Sequence, residues 1–123
     1  MKAISLWQPW ASMIASGKKT IETRKWATSY RGDLLICSTR KPVVGNLPLG
    51  QALCIVEVCG CLPMISQNGK AACCDYYEGA YAWFLRNLRS IEPFPVKGSQ
   101  GFFDVELPVE ALPGQQALFG EKG

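Results

Sequence analysis

Gly17-Lys18-Lys19-Thr20-Ile21-Glu22-Thr23-Arg24 joins a helix to a strand, and reading it decides the rest of the chain. Upstream, Gln8 to Ser16 places Trp10, Met13 and Ile14 at i, i+3 and i+4, one apolar face of a short helix. Pro9 suits the first helical position, and Gly17 suits the residue just past the end. From Thr20 to Arg24 the period changes to two. Thr20, Glu22 and Arg24 then share one face of a strand, and Ile21 and Thr23 share the other.

The neighbouring segments continue that pattern. Lys2 to Leu6 reads as a first strand and Asp33 to Ser38 as another, after the turn Tyr30-Arg31-Gly32. Pro42 to Gly50 is a loop rich in proline and glycine. Gln51 to Cys61 is apolar almost throughout and predicts a long central strand with a bulge at Gly60. Ala71 to Glu78 predicts a short helix ended by Gly79; Tyr81 to Leu88 is aromatic-rich and fits a strand or a helix by pattern alone, with the preceding glycine and the following Pro93-Phe94-Pro95 favouring a strand. Gly101 to Leu107 closes the set with alternating Phe103, Val105 and Leu107. The βαβ alternation of an open parallel sheet is missing, so short strands with non-local pairing point to an α+β domain built on a small, mostly antiparallel barrel with two or three flanking helices. That domain spans residues 1–110, and residues 111–123 form a carboxyl-terminal tail.

The chain has 123 residues, the size of one domain, and is 48% hydrophobic and 19% charged, which excludes a disordered chain. No apolar run approaches the roughly 20 residues of a membrane helix, and the amino terminus does not read as a signal peptide, so a cytoplasmic location is expected. Histidine is absent, which removes every mechanism with a histidine base. The six cysteines include no C-x-x-C pair. Cys37, Cys54, Cys59 and Cys61 fall in or beside apolar strands and read as buried free thiols, with disulfides or a metal site as lesser alternatives; Cys73-Cys74 reads as the exposed, oxidisable pair. No cofactor and no metal is expected. Oligomeric state cannot be read from the sequence.

The net charge of +3 says little, but its distribution is uneven. Residues 17–41 carry seven basic and two acidic side chains, net +5, a plausible phosphate-facing surface whose alternative is an ordinary solvated face. Within it Lys19 offers a point charge and Arg24 a planar fork, and Glu22 lies between them, able to orient either cation, accept hydrogen bonds from a base edge or carry a proton. The plain alternative is a Glu22–Arg24 pair at the rim of the barrel. Trp7 and Gln8 precede this region: Trp7 could stack on a base, whereas Trp10 reads as core. Lys97-Gly98-Ser99-Gln100-Gly101 lets the backbone approach a ligand, with Lys97 and Gln100 as donors and Gly98 keeping the approach open, or is simply a turn into the last strand. Tyr30, Arg31 and Ser38 are further candidates for the same cleft wall. Tyr76, Tyr77, Tyr81, Trp83 and Phe84 read as core or barrel cover.

The pattern G-x-K-x-x-E-x-R at 17–24, after Ile4-Ser5-Leu6-Trp7-Gln8-Pro9-Trp10-Ala11, resembles the signature of the ASCH domain family, which is similar to PUA domains. The resemblance continues through Leu34-Leu35-Ile36 and Pro95-Val96-Lys97-Gly98-Ser99-Gln100-Gly101, and so spans roughly residues 2–107. It implies a PUA-like barrel that binds RNA or a nucleotide-like small molecule. It also admits a small hydrolase of the ribonuclease or acetylcytidine amidohydrolase type. In that amidohydrolase type a lysine, matched by Lys19, works with a threonine that falls where this chain has Glu22; Lys19 and Glu22 would then be the catalytic pair, by a different mechanism. A third implied role is protein interaction in transcription or translation regulation.

Overall fold

The computed structural model describes residues 1–111. In chain order these form β1 (Lys2–Leu6), α1 (Trp10–Ala15), β2 (Ile21–Arg24), β3 (Gly32–Ser38), β4 (Gln51–Pro63), α2 (Gly69–Ala72), β5 (Tyr81–Pro95) and β6 (Phe103–Asp104). Single 3-10 turns lie at Ser66–Asn68 and Val109–Ala111. Part of the tail expected at 111–123, residues 112–123, lies outside the described residues.

The strands make one sheet in the order β2-β5-β4-β3-β1-β6. Its pairings are antiparallel except β1 with β3, whose connection runs through α1 and β2 and is long enough for a parallel crossover. β1 and β2 stand four strand steps apart, about 19 Å in a flat sheet. Yet Arg24 Nη2 on β2 donates to the carbonyl of Ser5 on β1 at 3.3 Å. The sheet must therefore curl until its first strand faces its fifth. The expected barrel is corrected to this extent: the sheet curls but does not close, because among the described residues no ladder joins β2 to β6.

Irregularities in the β4–β5 ribbon allow the curl. Register shifts fall between Ala52 and Cys54, between Ile55 and Glu57, and between Val58 and Gly60. The last leaves Cys59 as the extra residue, one position before Gly60, where the bulge was expected and which instead pairs with Phe84. The second puts one extra residue on β5, where Asn87 and Leu88 face the single Val56 and Asn87 takes φ 56, a left-handed conformation that asparagine tolerates better than most residues. β5 runs on to Pro95, beyond the expected stop, since Pro93 falls inside the first shift, where no ladder partner needs its missing N–H.

Strand alternation divides the core between the two faces. Ile4, Leu6, Leu34, Ile36, Cys54, Val56, Val58 and Trp83 pack with Ala11 and Ile14 of α1. Ala3, Leu35, Cys37, Ala52 and Ile55 point the other way and meet Ile91, Val96 and Phe103. With both faces covered, β3 and β4 read as continuous apolar runs. A third cluster, with Ile21, Met64, Ala80 and Ala82, seats α2 through Ala72.

Three further expectations change. The helix expected over Ala71 to Glu78 is α2, which starts earlier and ends at Ala72, capped by Cys73, itself left-handed at φ 57. The last strand shrinks to two residues, though Val105 N still donates to Met1 O at 2.9 Å. All six cysteines are free, but Cys59 on its bulge is the exposed one, Cys61 is half-buried, and Cys73 and Cys74 are only partly exposed. Burial pushes the Cys37 and Cys54 thiols up to about 12. No helix among the described residues is long and apolar enough to cross a membrane.

Candidate functional site

The curl leaves a cavity of about 650 Å³ between the end of β1, the start of α1, β2 and the segment before β6. Its charged wall comes from the helix-to-strand junction. Lys19 N donates to Met13 O at 3.0 Å, which turns the chain out of α1 and points it along β2. The Lys19 side chain is only 2% exposed. Its Nζ donates to the carbonyl of Ala72 at the end of α2 and lies 3.5 Å from Glu22 Oε1. Glu22 Oε2 in turn lies 3.0 Å from Arg24 Nε. Glu22 thus links two cations, and the three side chains carry a net single positive charge. Residue spacing on β2 puts Glu22 and Arg24 on one face, but the pair is not at a rim: Glu22 is buried, and both residues line the cavity.

Arg24 is braced on two further sides. Nη2 reaches Ser5 O, and the guanidinium carbon lies 5.6 Å from the centre of the Trp26 ring, a cation–π distance. Its Nε meets Glu22 as an ion pair without a directed hydrogen bond and stays a buried donor with no hydrogen-bond partner. Ser5 Oγ, on the same wall, is likewise buried without a partner. Trp7, 62% exposed, and Trp26, 50% exposed, supply aromatic surface at the mouth. Trp10 serves two roles, packing on the core under α1 while also lining the cavity.

Of the residues singled out in the sequence, Trp7, Lys19, Glu22, Arg24 and Gln100 come together here. The others lie elsewhere. Gln8 is 1% exposed and spent on the fold: Nε2 donates to Ser12 Oγ and Pro48 O, both at 2.8 Å, and Oε1 accepts from Ser12 N, which ties down the start of α1. Tyr30 donates its hydroxyl to Asp33 O and packs on Phe102; burial, then the Asp33 charge, raises its phenol above the ordinary value. Arg31 is exposed and bonds the carbonyls of Thr28 and Tyr30. Ser38 is buried and exchanges hydrogen bonds with the backbone of Gln51. Lys97 is exposed and outside the cavity wall, and Gly98 stands behind Ser5, where a Cβ would come within 2.6 Å of its Oγ.

The cavity also contains residues that the sequence did not single out. Ser5 and Trp26 extend alternations already visible, Ser5 two before Trp7 and Trp26 two after Arg24. Ser99 and Gly101 flank Gln100, and Thr23 and Thr39 complete the polar surface. Cys74 and Tyr77 arrive from the segment after α2, and no local pattern could have placed them; Cys74 Sγ lies 3.8 Å from Thr23 Oγ1. Tyr77 was expected as core or cover and stands in the cavity wall instead, while its neighbour Tyr76 is exposed. Among the described residues no cluster of histidine, cysteine and carboxylate side chains could hold a metal ion.

Comparison with known proteins agrees with this geometry at the level of fold. The crystal structure of ASCH from Zymomonas mobilis aligns with a TM-score of 0.69 at 20% identity, covering 98% of this chain and 93% of that one. A tyrosine-to-phenylalanine mutant of the same protein aligns with a TM-score of 0.63 at 17% identity, over 98% and 96% of the two chains. Activating signal cointegrator 1 of Homo sapiens, like that of Mus musculus, is 47% identical over 38 residues, which are 31% of this chain. The match spans only 6% of the length of those curated relatives. The family model of the ASCH domain matches residues 4–95, three quarters of the sequence, through both core faces and the Lys19–Glu22–Arg24 wall. The chain belongs to the ASCH domain family.

Proposed function

We propose that this chain binds RNA or a nucleotide-like small molecule in the cavity around Lys19, Glu22 and Arg24. The observation that carries this reading is that exposed indoles, Trp7 and Trp26, share one cavity with a net-positive chain of side chains, Lys19 and Glu22 buried and Arg24 half-buried. Aromatic faces stack on any base, and a nearby cation attracts a polyanion. At about 650 Å³ the cavity suits a unit the size of one nucleotide rather than a duplex. The basic stretch at 17–41 surrounds the mouth in sequence and would guide a strand toward it.

The test is a titration of short single-stranded and hairpin RNAs at two salt concentrations. Binding should weaken with salt, and Trp7→Ala should cost about 1–3 kcal/mol. Arg24→Ala should abolish it. Absence of binding at low salt would overturn the reading.

One observation favours a second reading, a small hydrolase acting on RNA or a modified nucleoside. Lys19 Nζ and Glu22 Oε1 form a buried pair on the cavity wall. Both contacts of Lys19 use its ammonium as donor, so the arrangement suits a lysine that stabilises charge on the substrate and a Glu22 that moves the proton. Turnover of RNA or acetylcytidine by the wild type and not by Glu22→Gln would select this reading over simple binding.

A further inference from the structure

We infer that the cavity takes its ligand phosphate-first: a terminal phosphate monoester seats against Arg24, and the base stays with the indoles at the mouth. Resting on the RNA- or nucleotide-binding reading, this narrows the ligand to a mononucleotide or the phosphorylated end of a strand.

The fold uses only part of the Arg24 guanidinium. Nε meets Glu22 Oε2 at 3.0 Å, and Nη2 donates to Ser5 O at 3.3 Å. Nη1 has no hydrogen-bond partner among the described residues, yet the buried atoms in that condition are Ser5 Oγ and Arg24 Nε. Nη1 is therefore accessible, on a side chain that lines the cavity with 20% of its surface open. It offers two N–H donors and a share of a charge that is never lost. Glu22 does not cancel that charge, because its carboxylate is shared with Lys19 and the three side chains keep one positive charge over. Among the described residues no other carboxylate lines the cavity.

The segment before β6 adds donors without charge. Ser99, Gln100 and Gly101 line the cavity and are exposed, and their one hydrogen bond among the described residues is local, from Ser99 Oγ to Gln100 O at 3.5 Å. Their backbone N–H groups are thus open to a ligand. Layout then sets the direction of entry. The indoles of Trp7 and Trp26 are exposed at the mouth, whereas the cluster that carries the charge is buried or half-buried. A ligand that satisfies both ends puts its anion inward and its ring outward. Size sets the kind of phosphate. An internal phosphodiester at Arg24 would bring a nucleoside on each side into a cavity of about 650 Å³, the room of one nucleotide. A terminal monoester brings one. It also carries close to two negative charges near neutrality and presents three acceptor oxygens.

Calorimetric titration of the whole chain with uridine, 5′-UMP, 3′-UMP, and U5 RNA with hydroxyl or phosphorylated ends tests this. One of the two monophosphates should bind at least about tenfold tighter than uridine. U5 phosphorylated on the same end should bind tighter still if a strand end is the ligand, and no tighter if a free mononucleotide is. The titratable groups lining the cavity are Lys19, Glu22, Arg24, Cys74 and Tyr77, and the chain has no histidine, the side chain that ordinarily changes charge between pH 5 and 8. The ligand's phosphate, with a second pKa near about 6, is then the group that titrates there. UMP affinity should fall about two- to fourfold from pH 7.5 to 5.5, while uridine affinity stays level. Arg24→Lys keeps a cation beside Glu22 but loses the open nitrogen, and should cut the preference for UMP over uridine to below about threefold. Gln100→Glu adds a carboxylate on an exposed segment that makes no hydrogen bond to the rest of the described chain, so the melting temperature should hold. It should weaken UMP about three- to tenfold and leave uridine unchanged. Equal affinity for uridine and both monophosphates, a level UMP profile with pH, or unmoved UMP binding in either variant would overturn the inference. If hydroxyl-ended U5 binds as tightly as its phosphorylated forms, RNA binding stands and the terminal-phosphate inference falls. If no nucleotide and no RNA binds, both fall.

Discussion

Lys19 illustrates how one side chain serves the fold and the cavity at once. At 2% exposure it connects the end of α2 to β2, by donating to Ala72 O and pairing with Glu22. Removing one partner of a buried charged cluster leaves the rest uncompensated, so Lys19→Ala should destabilise the protein by about 3 kcal/mol, read from urea unfolding. Loss of binding in that variant would therefore not separate a ligand contact from a damaged wall. Trp7 is the better probe, because it is largely exposed at the cavity mouth, whereas Arg24 belongs to the same charged cluster through Glu22. Gln8 teaches the opposite lesson. Its place between two tryptophans suggests a ligand contact, but its amide is consumed by Ser12 and Pro48, and it is better understood as the anchor of a six-residue helix that has no other side-chain cap.

At the scale of elements, what was legible depended on whether the signal was local. The α1-to-β2 junction announces itself in eight residues, because Gly17 at φ 84 ends the helix and alternation begins at once. The same alternation placed Glu22 and Arg24 on one face. β5 was legible only in its first half: its prolines read as a stop, and only the bulges opposite β4 make them tolerable. Cys74 and Tyr77 were invisible as site residues because the packing of α2 on Ile21 and Ala82, not any local pattern, carries them to the cavity. The charged end of the β3–β4 pairing shows a similar dependence on partners. Asp33 and Glu57 stand opposite each other in register, an unfavourable like-charge pair, and Arg89 and Arg86 of β5 answer them at 2.6 and 2.8 Å. The hydrogen bond from Arg89, helped by its charge and opposed by burial, holds the Asp33 carboxyl below the ordinary value of 3.8. A lowered carboxyl contributes stability above its unfolded value and loses it as pH falls through the folded one. Stability of the wild type should thus drop more steeply below about pH 4 than that of Arg89→Ala. Near neutrality the two should differ by at most about 1 kcal/mol, since the pair is largely exposed. Urea midpoints across a pH series would show both effects.

At the scale of the whole molecule, the same strands build two cores, one on each face, and neither can dissolve without exposing the other. Cys54 reports on the face that holds α1, and Cys37 on the opposite face. Both thiols are fully buried and raised to about 12, so neither should react with an alkylating reagent in the native state at pH 8, where exposed Cys59 reacts first. With rising urea, Cys37 and Cys54 should become reactive at one shared midpoint, as a single cooperative transition demands. Separate midpoints, followed by mass spectrometry of the labelled peptides, would show that the two faces unfold independently. The distribution of tryptophans has a different consequence. Trp7 and Trp26 sit half or more in solvent at the cavity mouth, whereas Trp83 is wholly enclosed, with its indole N–H donating to Trp26 O at 3.2 Å. The chain is thereby its own optical instrument. Light excited at the red edge comes mainly from the two indoles at the mouth and dims when a ring stacks on them, while the blue emission of Trp83 stays as an internal standard until the core itself comes apart.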